Sequence, residues 1–267
     1  MRPGPIRHAV TLARSILFAI AFYTATALFL ILGSPLLLGP RSWAMAGLKA
    51  HAHVCLLLLR LIAGTRMEVR GRENVPKGAC IVAAKHQSAW DTFALIPLFD
   101  DPAVVLKAEL ARIPLYGWFC VKFEHIIVSR ERAAVALKKM LADAKDRAAS
   151  GREIVIFPEG TRSAPGASPD YKPGVSALYE GLGVPCVPLA LNSGLYWPRR
   201  SLMRYPGTIV VEFQAAIPPG LDRRSFRAEL ERRIESASAR LIEEAMAGPI
   251  PPPGPRSVPS EAEDETL

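Results

Sequence analysis

The chain has 267 residues, half of them hydrophobic, with mean hydropathy +0.18, a formal net charge of +8 and a pI near 9.5. That length fits one domain of ordinary size plus attachments, and the hydropathy is high for a purely soluble protein. The positive balance points to nucleic acid, an anionic membrane or a phosphorylated partner, while Cys55, Cys80, Cys120 and Cys186 are widely spaced and form no Cys-x-x-Cys pair, which argues against a disulfide framework or a metal site.

Residues 1–14 carry Arg2, Arg7 and Arg14, and no charge occurs from Ser15 to Pro40. The core of that run, ILFAIAFYTATALFLIL (16–32), predicts an apolar helix ended by Gly33-Ser34-Pro35. A spanning helix takes about 20 residues, so this one spans only if it begins near Ala9 and Arg14 snorkels. A cleaved signal peptide, a single span and a helix sunk into one leaflet all compete. The next segment, WAMAGLKAHAHVCLLLLRLIAG (43–64), favours the last. It predicts an amphipathic helix on which Lys49, His53 and Arg60 fall within about 40° of one another. Two such helices joined at Gly39-Pro40 form a hairpin suited to a membrane interface. His51 and His53 face apart, as i and i+2 do on a helix, and are not read as metal ligands.

Beyond the hairpin the pattern changes. TRMEVRG alternates polar and apolar residues as an edge strand does, and NVPKG (74–78) is a turn. ACIVAAK, AVVLK (103–107), HIIVS (125–129), EIVIFP (153–158), PCVPLALN (185–192) and GTIVVEFQ (207–214) read as further strands. WDTFALIPLF and IPLYGWFCVKF read as short helical segments. Residues 131–150 predict a helix with Leu137, Met140, Leu141, Ala144 and Ala148 on one face, stopped by Gly151. GVSALYEGL (174–182) is a helix, and Phe226, Leu230, Ile234, Ala237 and Leu241 mark the last one. The expected fold class is therefore α/β, a layered sheet with flanking helices, plus the N-terminal apolar two-helix anchor. The expected division is 1–64 membrane-anchoring helices, 65–247 the α/β domain, and 248–267 a disordered proline-rich and acidic tail. That tail holds one arginine against four acids, leaving the rest of the chain near +11.

Two stretches bear chemistry. IVAAKHQSAWD (81–91) releases His86 at a strand end with Asp91 five residues on, which suits a general base and the carboxylate that orients it. A turn histidine and a helix-capping aspartate fit the same spacing. FPEGTRS (157–163) follows a strand directly. Gly160 permits close backbone approach, Thr161 offers a hydroxyl, Arg162 a planar fork for phosphate, and Glu159 could orient the arginine or accept from a substrate hydroxyl. A solvated polar turn is the competing account. There is no nucleophile elbow, Walker A loop or Gly-x-Gly-x-x-Gly run, so a histidine base would activate a substrate hydroxyl directly.

HQSAWD (86–91), FPEGTRS (157–163) and VPLALNSG (187–194), in that order, resemble the blocks of the glycerolipid acyltransferases, specifically the bacterial 1-acylglycerol-3-phosphate acyltransferases. LKAELARIPLYGW (106–118) is similar to that family too, and the resemblance covers roughly residues 66–215. One block departs. Where the family has Gly-x-Ile-Phe-x-x-Arg, this chain has EHIIVSR (124–130): Arg130 matches, Glu124 stands for the glycine and Ile127 for the phenylalanine.

The resemblance implies that His86 deprotonates the sn-2 hydroxyl of lysophosphatidic acid, with Asp91 fixing its tautomer, and that the oxygen attacks the thioester of acyl-CoA or acyl carrier protein. It implies an acceptor-phosphate site at Glu159, Gly160, Thr161 and Arg162, with Arg130. Lys107, at a strand end, is expected to add positive charge there or near the oxyanion. Pro188 is expected to be structural or on the thioester side. No metal or cofactor is implied beyond the acyl thioester as co-substrate. The implied partners are a lysophospholipid acceptor and membrane lipids, with no nucleic acid, at the inner (cytoplasmic) membrane with the catalytic domain facing the cytoplasm. The competing expectations are the same fold acting on another lysolipid, such as a lyso-ornithine lipid, and a non-catalytic membrane protein that binds anionic lipid.

Overall fold

The structure, a computed structural model, describes residues 4–129 and 133–253. Arg130 and residues 254–267, most of the expected tail, lie outside the described residues. Helix α1 (Pro5–Leu32) starts earlier than the apolar run itself, with proline in its first turn, where the missing N–H costs nothing. A short turn, Ser34–Leu37, leads to α2 (Arg41–Leu58), which continues as a π-helical turn through Ala63. Gly64 then ends it in the left-handed conformation, φ 77°. Arg14 does not snorkel. Its Nε donates to Ile62 O at 2.5 Å, one of the carbonyls left open at the end of that second helix.

The rest alternates strands and helices: β1 (Thr65–Arg70), β2 (Ile81–Ala84), α3 (Asp91–Ala94), β3 (Ala103–Lys107), α4 (Tyr116–Lys122), β4 (Ile126–Val128), α5 (Ala133–Ala149), β5 (Ile154–Ile156), α6 (Pro173–Leu182), β6 (Cys186–Leu191), α7 (Ser193–Tyr196), β7 (Gly207–Phe213) and α8 (Arg223–Ala247). The strands form one seven-stranded sheet in the order β1-β7-β6-β2-β5-β3-β4. β6, β2, β5, β3 and β4 run parallel, so their carboxyl ends share one edge; β7 pairs antiparallel to β6, and β1 lies parallel to β7 at the sheet margin. In such a sheet the carboxyl edge is where ligands bind.

Strand alternation sorts the core into two layers. Ile81 and Ala83 join Met140, Ala144, Leu178, Phe226, Leu230 and Ile234 under α5, α6 and α8. Val82 and Ala84 join Phe18, Met45, Ala52, Cys55 and Leu59 under α1 and α2. The two N-terminal helices are thus one of the sheet's two covering layers, and this core cluster runs straight across residue 64. α1 follows the domain along most of its length. Ser15 Oγ accepts from Arg204 N at 2.8 Å, Phe18 meets Trp197 at 5.3 Å, Phe22 meets Phe93 at 5.5 Å and Phe29 meets Phe119 at 5.2 Å. Both helices are long and apolar enough to cross a membrane, and Leu17, Ile20, Tyr23, Leu28 and Ile31 are exposed on the outer side of α1. Together they carry the membrane association of the chain.

At the opposite, amino edge the buried Arg152 donates to Phe123 O at 2.8 Å and to Glu124 Oε2 at 3.0 Å. Asp101 pairs with Arg41 at the start of α2, Oδ1 to Nη1 2.6 Å. Glu124, which stands where the resembling family has glycine, adopts φ 55°, a conformation glycine takes without strain. Its carboxylate is held by the arginines around it. His125 accepts from Val104 N at 3.2 Å through Nδ1. It lies before β4, at the edge away from the site, and is a structural histidine.

Two outcomes follow. Deleting residues 1–64, which a separable anchor would tolerate, should strip one face of the sheet and abolish the cooperative melt; a truncated protein with a native near-ultraviolet dichroism spectrum would refute this. Burial, reinforced by the Arg152 guanidinium, lowers the His125 pKa from 6.5 to about 3. The unfolded chain takes up this proton below pH 6.5 while the folded chain resists until about 3, so stability should fall as pH drops through that window. His125→Asn, which keeps an acceptor for Val104 N, should flatten the melting temperature's dependence on pH between about 6.5 and 4.

Candidate active site

Three adjacent parallel strands, β6, β2 and β5, end beside one another; the first and second sequence blocks follow β2 and β5, and the third contains most of β6 and the turn after it. After β2 the chain turns sharply. Ser88 Oγ accepts from Trp90 N at 3.1 Å, while the Asp91 carboxylate reaches back to Ser88 N at 2.9 Å and Gln87 N at 2.8 Å. These bonds close the turn that leads into α3, whose own cap position, Trp90, has no side-chain cap. The same carboxylate oxygen, Asp91 Oδ2, lies 3.0 Å from His86 Nδ1. Asp91 thus both closes the turn and partners the histidine.

Because a carboxylate only accepts, the bond assigns the proton to Nδ1 and leaves Nε2 with the lone pair. Phe157, directly after β5, stacks on the imidazole at 4.1 Å between ring centroids with 25° between planes. Among the described residues none hydrogen-bonds His86 Nε2, and the side chain keeps 12% exposure. Asp91 itself is fully buried, and its second oxygen accepts from Ser193 Oγ at 2.6 Å. Gly194 N donates to Gln87 Oε1 at 3.0 Å, fixing the third block to the first.

The EGTR turn is clamped to the backbone of His86 on both sides. His86 N donates to Glu159 Oε1 at 3.3 Å, and Ser163 N donates to His86 O at 2.8 Å. Gly160 has φ 65°, which explains glycine there, whereas a Cβ would meet only Lys172 Cγ at an ordinary 3.5 Å. Thr161 is exposed and Arg162 half-buried. Among the described residues the Arg162 guanidinium has no acidic partner, although its carbonyl accepts from Arg199 Nη1 at 2.9 Å. This leaves its fork of donors open to an anion.

Glu159 departs from expectation. Its side chain is buried, and Oε1 lies 3.2 Å from Lys85 Nζ and accepts from the His86 amide. Lys85 points to the opposite face of the sheet from His86, as alternation requires, and also donates to Glu235 of α8 at 2.9 and 3.0 Å. Tyr171 OH donates to Glu235 Oε1 at 2.8 Å; burial, with Glu235 beside it, raises its pKa and keeps it a donor. Lys107 ends β3, half-buried at the same carboxyl edge and two strands from β2.

Pro188 is buried inside β6 opposite Ala83, away from the edge. Its carbonyl accepts from Gln214 N at 2.9 Å, just past the end of β7, so a missing N–H is tolerated there. From that block the side chain reaching the site is Ser193, which sequence reasoning missed although it stood in the quoted VPLALNSG.

Ser88 is buried and occupied within its turn, which excludes it as a nucleophile. All four cysteines are buried, and burial pushes the Cys80 thiol up to about 12 and Cys186 up as well. Neither is a nucleophile at neutral pH. The geometry brings together His86, a buried carboxylate on its Nδ1 and, on a turn tied to its backbone, the Arg162 guanidinium, which has no acidic partner among the described residues.

A family model described as Acyltransferase matches residues 66–192, from β1 to the end of β6. A 1-acyl-sn-glycerol-3-phosphate acyltransferase of Pseudomonas aeruginosa is 37% identical over 190 residues, 71% of this chain and 72% of its own. One from Limnanthes alba is 30% identical over 205 residues, 76% of this chain and 70% of its own. The crystal structure of the 1-acyl-sn-glycerophosphate acyltransferase of Thermotoga maritima superimposes with a TM-score of 0.71, covering 86% of this chain and 97% of that one, at 20% identity. That likeness establishes the shared fold. With the sequence matches beside it, this chain belongs to the acyltransferase family, as an O-acyltransferase.

Proposed function

We propose that this chain transfers an acyl group from acyl-CoA or acyl carrier protein to the sn-2 hydroxyl of 1-acylglycerol-3-phosphate, giving phosphatidic acid. The observation that carries this reading is His86, locked by Asp91 through Nδ1, on a backbone shared with the turn that bears Arg162. The names of the relatives support the same acceptor.

His86 Nε2 takes the proton of the sn-2 hydroxyl as its oxygen bonds to the thioester carbonyl carbon. The tetrahedral oxyanion collapses, the carbon–sulfur bond breaks, and the imidazolium returns its proton to the leaving thiolate. Asp91 stabilises the imidazolium between the two transfers. A thioester is already activated, so no acyl-enzyme is needed, in keeping with buried cysteines and an occupied Ser88. General-base work contributes about 10²- to 10⁴-fold, and positioning of hydroxyl and thioester supplies the remainder.

Arg162 is the natural holder of the acceptor phosphate, with Thr161 and Gly160 on the same turn. Lys107 ends β3 at the same edge and adds positive charge, and Arg130, two positions after β4 in the sequence, is assigned to the same role. Glu159 acts by holding that turn rather than by touching substrate. The departure at Glu124 lies before β4, at the opposite edge of the sheet from the proposed phosphate site.

We place the enzyme at the cytoplasmic membrane, its catalytic domain facing the cytoplasm and its hairpin in one leaflet. A spanning helix leaves its domain within a turn or two. α1 instead touches the domain from Ser15 to Phe29, about 21 Å of helix at 1.5 Å per residue.

The test is release of free thiol from acyl-CoA on adding lysophosphatidic acid. His86→Ala should lose about 10²- to 10⁴-fold in kcat; full transfer by that variant would sink the mechanism. Ser193→Ala, which leaves Asp91 three of its donors, should lose roughly tenfold, the worth of one hydrogen bond to a charged group. Activity confined to a zwitterionic lysolipid would instead overturn the acceptor, and no transfer to any lysolipid would favour a lipid-binding role.

A further inference from the structure

Outside α1, α2 and their connection, large hydrophobic side chains are seldom exposed, yet four of them gather in residues 110–121. Leu110 is 38% exposed, Ile113 48%, Trp118 60% and Val121 62%. Their segment leaves the carboxyl end of β3 at Lys107, makes one 3₁₀ turn at Leu110–Arg112 and enters α4.

This is a built loop. Tyr116 N donates to Pro114 O at 2.7 Å, closing a three-residue turn around Leu115, whose φ of 62° and ψ of −55° are strained for a branched side chain. Gly117 packs directly on the preceding turn, where a Cβ would come 1.9 Å from Ala111 O. Phe119 and Cys120 point inward, with the Phe119 ring packed at a tilt against Phe29 of α1. Lys122 Nζ donates to Gly39 O at 2.5 Å, between the two hairpin helices. The fold therefore spends backbone strain on holding Ile113, Trp118 and Val121 outward.

We infer that residues 110–121 form a third membrane contact, inserting into the same leaflet as the N-terminal hairpin. Continuity selects the bilayer as the occupant. The loop is fastened to α1 and to the hairpin connection, so its exposed face extends the apolar surface of those helices, where Ile31, Leu32, Leu38 and Trp43 are also exposed. Its composition fits an interface, with an exposed tryptophan and the exposed Arg112 at the rim. Resting on the proposed lipid-acceptor reading, the contact gains a purpose. It begins at Lys107 and packs on the His86 face of the sheet, so it holds the carboxyl edge of β3 against the lipid surface from which acceptor enters.

A nitrobenzoxadiazole dye attached through Trp118→Cys tests the contact, since the four native cysteines are buried. The same dye at Arg227→Cys, exposed on the opposite layer, serves as control. In full-length protein on phosphatidylethanolamine–phosphatidylglycerol vesicles, the dye at 118 should emit to the blue and be quenched severalfold by nitroxide-bearing acyl chains, while the dye at 227 is not. Equal quenching at both sites, or a signal at 118 that follows protein concentration and ignores the nitroxide lipid, would overturn the proposal in favour of water or a second copy. This readout needs no acyl transfer, so it stands or fails separately from the catalytic reading. In the activity arm, Ile113→Ser with Val121→Ser should lower kcat/KM at least tenfold for long-chain acceptor in vesicles and less than twofold for a short-chain acceptor free in solution. An equal loss on both acceptors would mark a merely structural role and refute the membrane contact.

Discussion

A buried carboxylate must find donors, and Asp91 finds four: the amides of Gln87 and Ser88, the imidazole of His86 and the hydroxyl of Ser193. Much of the site is fixed by that one requirement. Two donors come from the turn that Asp91 itself closes, so the local backbone is set before any long-range contact forms. The fourth arrives from a residue 102 positions later, and it comes only if β6 lies beside β2. Satisfying one anion thus links a local turn, the strand order and the tautomer of the histidine. A charge left unmet in that setting would cost several kcal/mol.

A second ionic layer lies behind the first. Lys85 and His86 are neighbours in sequence, yet the pleat sends them to opposite faces. His86 faces the hairpin, and Lys85 faces α8, where Glu159 and Glu235 neutralise it. Glu159 connects the two layers, because the oxygen that meets Lys85 also meets the His86 amide. Removing one member of such a group exposes the others to burial without compensation, which makes the set hold its geometry as a unit.

What was legible in the sequence follows from the range of each signal. The strands and the faces of α5 and α8 were readable because periodicity is local; Phe226, Leu230, Ile234, Ala237 and Leu241 are all buried as their spacing required. His86 and Asp91 were readable because the turn that joins them spans six residues. Ser193 was not, since its partner is fixed by strand order, and the resemblance of the VPLALNSG block drew attention to Pro188 in its place. Lys85 registered only as the end of an apolar run, because nothing local announces that α8 will bring a carboxylate to it. The hairpin's apolar faces were plain, but an apolar helix reads alike whether it meets lipid or a sheet. α1 and α2 meet both.

That double use of the hairpin separates the effects of substitution by side. The strands that the first 63 residues cover include β6, more than a hundred residues downstream. Each helix thus divides its apolar surface, giving one side to the sheet and leaving the other exposed. A change on the inner side of α1 therefore acts on the core of the whole α/β unit, and a change on its outer side on membrane association alone.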